Sequence, residues 1–98
     1  MSYRNSSLWN ELNELRCLLA FKRLSFLGFP YGKQSEYAQE ISVKSGLSVG
    51  NISAKICNYK SVAGVNKDSN ASKNTIDLFH KYEKFSIEQV EKAIKQLE

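Results

Sequence analysis

The sequence predicts an all-α domain, a small bundle of about five helices containing a helix-turn-helix. Three observations predict it. Apolar residues recur at three- and four-residue spacing in five stretches. Ser residues and Gly-containing joints bracket those stretches, as helix caps and turns require. No convincing strand run is present; Tyr31 and the Val62–Val65 region hold isolated extended residues at most.

The first helix is predicted over Ser7–Leu24, capped by Ser6 or Ser7. Leu8, Leu12, Leu15 and Leu19 form its stripe, widened by Trp9 and Leu18. Glu11 and Glu14 read as a solvated face near its start, where acids suit the helix dipole. Gly28, Pro30 and Gly32 then break the pattern, with Phe26, Phe29 and Tyr31 expected to pin the connection onto the core. The second helix spans Ser35–Lys44, with Tyr37, Ala38 and Ile41 inward and Gly46 as the left-handed residue after it. The third spans Ser48–Lys60. Ser48 is its N-cap, Leu47 and Ile52 occupy the staple positions, and Ile52, Ile56 and Tyr59 form its core stripe. The segment 65–74 reads as a polar loop. A fourth helix covers Lys73–Tyr82 with Ile76, Phe79 and Tyr82 inward. The fifth begins with a capping box, Ser86 with Gln89, and a Phe85–Val90 staple.

A chain of 98 residues and 11.1 kDa holds a single helical domain with a modest core. With 42% hydrophobic and 24% charged residues it falls outside the disordered class, and no apolar run is long enough for a membrane span. Cys17 and Cys57 lie forty residues apart with one His in the chain, which matches no zinc pattern. They are expected as buried free thiols of a cytoplasmic protein. No cofactor is expected. His80 pairs with no acid or nucleophile by spacing, and no phosphate-binding glycine loop occurs, so the chain is read as non-enzymatic. The chain ends Gln96-Leu97-Glu98. Leu-Glu is a common junction between a cloned fragment and a tag, which would make this the N-terminal piece of a longer protein; a natural end to the last helix fits equally well.

The formal charge is +4, and its placement is uneven. Residues 1–40 carry a net +1, residues 41–75 a net +4 and residues 76–98 a net −1. In the middle segment Lys44, Lys55, Lys60, Lys67 and Lys73 face Asp68 alone, and between them lie short hydrogen-bonding side chains of the kind that contact phosphates and base edges. A solvated lysine face is the plain alternative. Ser42 lies four residues before Gly46 and Ile52 six after it. A helix-turn-helix needs that arrangement: a small residue where the helices touch, Gly in the turn, and a branched residue packing back. In such a motif the Ser48–Lys60 helix enters the major groove of double-stranded DNA N-terminus first. Gly50 would allow close approach. Asn51 could read adenine and Ser53 could donate or accept, while Asn58 serves equally well as a helix cap. Ser48 lies at the helix entry. Lys44, Lys55, Lys60 and Lys73, with Asn70 in the loop, complete the expected DNA-binding set.

The Gly46-Leu47-Ser48 turn and the Ile52-Ser53 pair resemble the helix-turn-helix of lactose-repressor-type regulators, which usually place an apolar residue where Lys55 stands. A longer match, Ser48-Val-Gly50-Asn51-Ile52-x-x-Lys55-Ile56-x-Asn58-Tyr59-x-Ser61-Val62, resembles a segment near the N-terminus of HNH-family restriction endonucleases. Trp9, Glu11 and Leu12 before it, the Gly64–Lys73 loop and Phe79 after it extend the resemblance over residues 9–82. Ala63-Gly64 replace that family's usual Asp, and Asn51 its commoner Ser. The resemblance implies a DNA-recognition module with the nuclease in a C-terminal domain of the same polypeptide. A free-standing helix-turn-helix regulator, acting as a homodimer through the last helix, and a helical protein-interaction module are the alternatives.

Overall fold

The computed structural model describes residues 9–65 and 71–98, and the described residues contain five α-helices and no strand. These are α1 (Glu11–Leu27), α2 (Lys33–Ser45), α3 (Val49–Val62), α4 (Lys73–Tyr82) and α5 (Ile87–Leu97).

α1 is the centre of the bundle and packs against each of the other four helices. Its buried residues therefore run around much of its circumference: Asn13, Glu14, Leu15, Cys17, Leu18, Ala20, Phe21 and Leu24. A helix surrounded in this way has no single apolar stripe, and buried positions fall between the predicted ones. Its cap is Asn10, whose side chain accepts from the Asn13 amide at 2.8 Å. The predicted caps Ser6 and Ser7 lie outside the described residues.

α1 ends at Gly28 (φ 80°), and the Phe29 amide returns to the Leu24 carbonyl at 2.8 Å. That six-to-one bond is the Schellman closure of a helix end. Phe29 itself is left-handed at φ 56°, unusual for a bulky residue. Its ring is half-buried and packs on the core, 6.1 Å from the ring of Phe21. Phe26 and Tyr31, expected to help pin this connection, are both exposed. Of these three rings it is Phe29 that packs on the core.

The connection from α2 to α3 is three residues, Gly46-Leu47-Ser48. Gly46 is left-handed at φ 81° and its amide donates to the Ser42 carbonyl at 3.0 Å. The Ser42 hydroxyl donates to the Leu47 carbonyl at 2.6 Å, so this small residue ties the turn as well as permitting contact. Leu47 is buried, and Ser48 caps α3 by accepting from the Asn51 amide at 3.1 Å. α2 and α3 pack on each other and both pack on α1.

Ile52, Ile56 and Tyr59 of α3 are fully buried. Phe21, Tyr59 and Phe79 join α1, α3 and α4 through ring contacts of 6.2–6.4 Å. Ser72 caps α4, and α5 starts with the expected capping box of Ser86 and Gln89. Val90 and Ile94 seat α5 in the core, and ion pairs from Arg23 to Glu91 and Arg16 to Glu98 (3.0 Å) add to it. No helix among the described residues is long and apolar enough to cross a membrane.

Candidate nucleic-acid interface

The outer face of α3 follows from its inner one. Positions 52, 55, 56 and 59 point into the bundle, so positions 50, 54, 57 and 61 point away from it. Gly50, Asn51, Ala54 and Cys57 are exposed, Val49 borders them, and Ser53, Asn58 and Ser61 are half-buried beside them. The face is small, uncharged and rich in amide and hydroxyl groups. Ala54 and Cys57 belong to it, with Val49 at its border, although the residue-type reading did not select them; the 50/54/57/61 spacing is the signal that finds Ala54 and Cys57.

Lys55 departs most from expectation. It was expected at a phosphate, but its ammonium is turned inward and only 13% of the side chain is exposed. It donates to Glu14 at 2.8 Å and to the Thr75 hydroxyl at 2.7 Å, and lies 4.5 Å above the Trp9 ring. Glu14 is 1% exposed, in place of the solvated position expected for it. The Thr75 hydroxyl also reaches Glu14 at 3.1 Å, and the Tyr59 hydroxyl reaches the Glu14 carbonyl at 3.4 Å. Lys55 thus neutralises a buried carboxylate and joins α1, α3 and α4; its charge is not available to a ligand. Ile56, fully buried, holds the adjacent packing position.

Lys60 is placed differently. Its ammonium donates to Gln34 Oε1 at 2.7 Å and sits 5.0 Å from the centre of the Phe29 ring. It has no carboxylate partner among the described residues. Gln34 also donates to the Ser53 carbonyl at 3.3 Å and to Cys57 Sγ at 3.6 Å, fastening the start of α2 along α3. Lys44, in the last turn of α2, and Lys73, in the first turn of α4, are exposed and likewise without a carboxylate partner. The Ser48 hydroxyl oxygen is committed to its cap. Asn70 lies outside the described residues, as do Lys67 and Asp68. Residues 41–65 and 71–75 contain no Asp or Glu.

Cys57 is exposed, a correction to its expected burial, because it falls one position beyond the Ile52/Ile56 stripe. Cys17 is buried as expected, and that burial pushes its thiol up to about 12. Neither cysteine is in a disulfide. His80 is exposed, and its Nδ1 lies 3.5 Å from Glu83 Oε1 one helical turn on, a correction to the expectation that spacing gives it no acid. No group of three or more His, Cys, Asp or Glu that could hold a metal gathers among the described residues.

These features define the class of the molecule as an all-α domain, with five helices among the described residues and a small, uncharged outer face on α3; Lys60 lies beside that helix on Gln34 and Phe29, whereas Lys44 lines a cavity with Arg16, Tyr37, Glu40 and Ile94 and Lys73 is exposed at the start of α4. No protein family, curated protein or solved structure matches the chain.

Proposed function

We propose that this domain binds double-stranded DNA without catalysing a reaction on it, with α2 and α3 acting as a helix-turn-helix and α3 entering the major groove. Gly50 carries this reading. A glycine inside a helix costs about 1 kcal/mol relative to alanine. A Cβ built at Gly50 would meet nothing within 4 Å, so the fold gains no packing from its absence. Close approach of another molecule to the α3 backbone accounts for it. The exposed amide of Asn51 lies one residue further on, in the N-terminal part of the helix that reads bases in such a motif.

In this reading Lys60 on α3, with the exposed Lys44 at the end of α2 and Lys73 at the start of α4, contacts phosphates, and the described residues of 41–75 hold no carboxylate to oppose them. Neutralising three phosphates gives a salt slope of about −2.7 in log–log form. The resemblance to HNH restriction endonucleases extends the proposal: the domain is the recognition module of such an enzyme, with the nuclease elsewhere in the polypeptide.

The test is fluorescence anisotropy with a labelled duplex of roughly 20 base pairs at about 50 mM salt. Wild type is expected to bind at micromolar concentration or tighter. Gly50→Ala should bind several-fold more weakly, and Gly50→Leu at least tenfold more weakly. No binding at that salt, or undiminished binding by Gly50→Leu, contradicts the proposal.

A further inference from the structure

We infer that the groove-facing side of α3 selects A·T base pairs. The inference presupposes that α3 enters a major groove, as proposed above, and adds what it would read there.

The outer face offers Gly50, Asn51, Ala54, Cys57 and, at its borders, Val49 and Asn58. The helix contains two charged residues, Lys55 and Lys60, and no Asp or Glu. Lys55 is consumed by Glu14 and Thr75 in the interior. Lys60 is drawn to the side, onto Gln34 and over Phe29. The face that meets base edges is therefore left with amides, small apolar groups, a thiol and the hydroxyls of Ser53 and Ser61, which donate or accept with any base and so do not discriminate.

Base-edge chemistry then limits what it can distinguish. Guanine is read by Arg or Lys on O6 and N7, and cytosine by Asp or Glu accepting from N4. The outer face has neither. Adenine is read by Asn or Gln, bidentate to N6 and N7, and Asn51 is exposed for that contact. Thymine is distinguished by its 5-methyl group, which packs against small apolar side chains. Ala54 lies one turn from Gly50 and three residues from Asn51, so a methyl contact and an amide contact fall on neighbouring bases. Val49, partly exposed, offers a second apolar contact at the helix start.

A preference for A·T-rich DNA can also arise in the minor groove, from its width and potential. The experiment separates the two by altering atoms that only the major groove displays. Duplexes of equal length are compared by anisotropy at one salt concentration: A·T-rich, G·C-rich, and A·T-rich with either 7-deaza-adenine for adenine or uracil for thymine. The expected result is binding to the A·T-rich duplex about tenfold or more tighter than to the G·C-rich one. Each major-groove alteration should remove several-fold of that preference. Asn51→Ala should abolish sensitivity to 7-deaza-adenine while keeping the salt slope set by the lysines. Equal binding to A·T- and G·C-rich duplexes, or a preference unchanged by both alterations, overturns the inference while leaving DNA binding standing. Failure to bind any duplex overturns the DNA-binding proposal itself.

Discussion

A buried carboxylate beside a buried ammonium is stabilising only while both are present, because removing one leaves the other uncompensated away from water. Glu14 and Lys55 form such a pair. Lys55→Met preserves much of the side-chain volume but strands Glu14, and is expected to cost about 3–5 kcal/mol in chemical denaturation. Adding Glu14→Leu should restore most of that loss; a double variant no more stable than the single one would show that the pair is not the source. A small domain has only about 5–15 kcal/mol in total, so charge reversal at Lys55 reports on folding and not on ligand binding. The two cysteines differ in a second testable way. Cys57 is exposed and Cys17 fully buried, so a thiol reagent should modify one thiol in the native protein and two after denaturation. Burial holds the folded Cys17 thiol near 12 against an ordinary 9.0. Between those values the unfolded chain releases its proton and the folded one keeps it, so this contribution to stability falls as pH rises through that window. Cys17→Ala removes it, and the stability gap between wild type and variant should narrow between about pH 8 and about pH 10.5.

At the scale of elements, legibility followed local chemistry. Ser72 and the Ser86–Gln89 capping box mark helix starts by hydrogen bonds within one turn, so α4 occurs over the predicted Lys73–Tyr82 and α5 starts where expected. The Gly46 turn is equally local. Gly46→Ala places a Cβ at φ 81° and should cost about 1–2 kcal/mol, while Gly50→Ala, on open surface, should gain up to about 1 kcal/mol. Thermal melts of the pair check both signs. Tertiary surroundings were less legible. Glu14 looks solvated in a helix imagined with one buried side, but α1 is enclosed by four neighbours. Lys55 carried a clue: it stands where the turns this segment resembles hold an apolar residue, and its spacing from Ile52 and Tyr59 puts it on the inner stripe. Its charge alone assigned it to a DNA phosphate. Phe26 and Tyr31 were misplaced because a count of nearby aromatics does not say which rings pack on the core.

For the whole molecule, the consequence is a redistribution of charge. The net +4 of residues 41–75 is smaller at the surface than in the sequence, because Lys55 cancels Glu14 in the interior. Lys44, Lys60 and Lys73 remain without a carboxylate partner among the described residues, and the outer face of α3 carries no charge of its own. Attraction to a polyanion would then come from the margins and discrimination from the centre, the usual division between phosphate and base contacts. Lys44→Glu with Lys73→Glu should lower duplex affinity at low salt by an order of magnitude or more and flatten the salt slope by about 2, with little change in melting temperature. The most direct measurement of the central claim is amide chemical-shift mapping of the wild-type domain against a short duplex at low salt. Shifts and line broadening should concentrate on the α2–α3 turn and on Val49, Gly50, Asn51, Ala54 and Cys57, with Lys44 and Lys73 at the margins. Perturbations confined to α5 or to the α4–α5 connection, or none at saturating duplex, would contradict it.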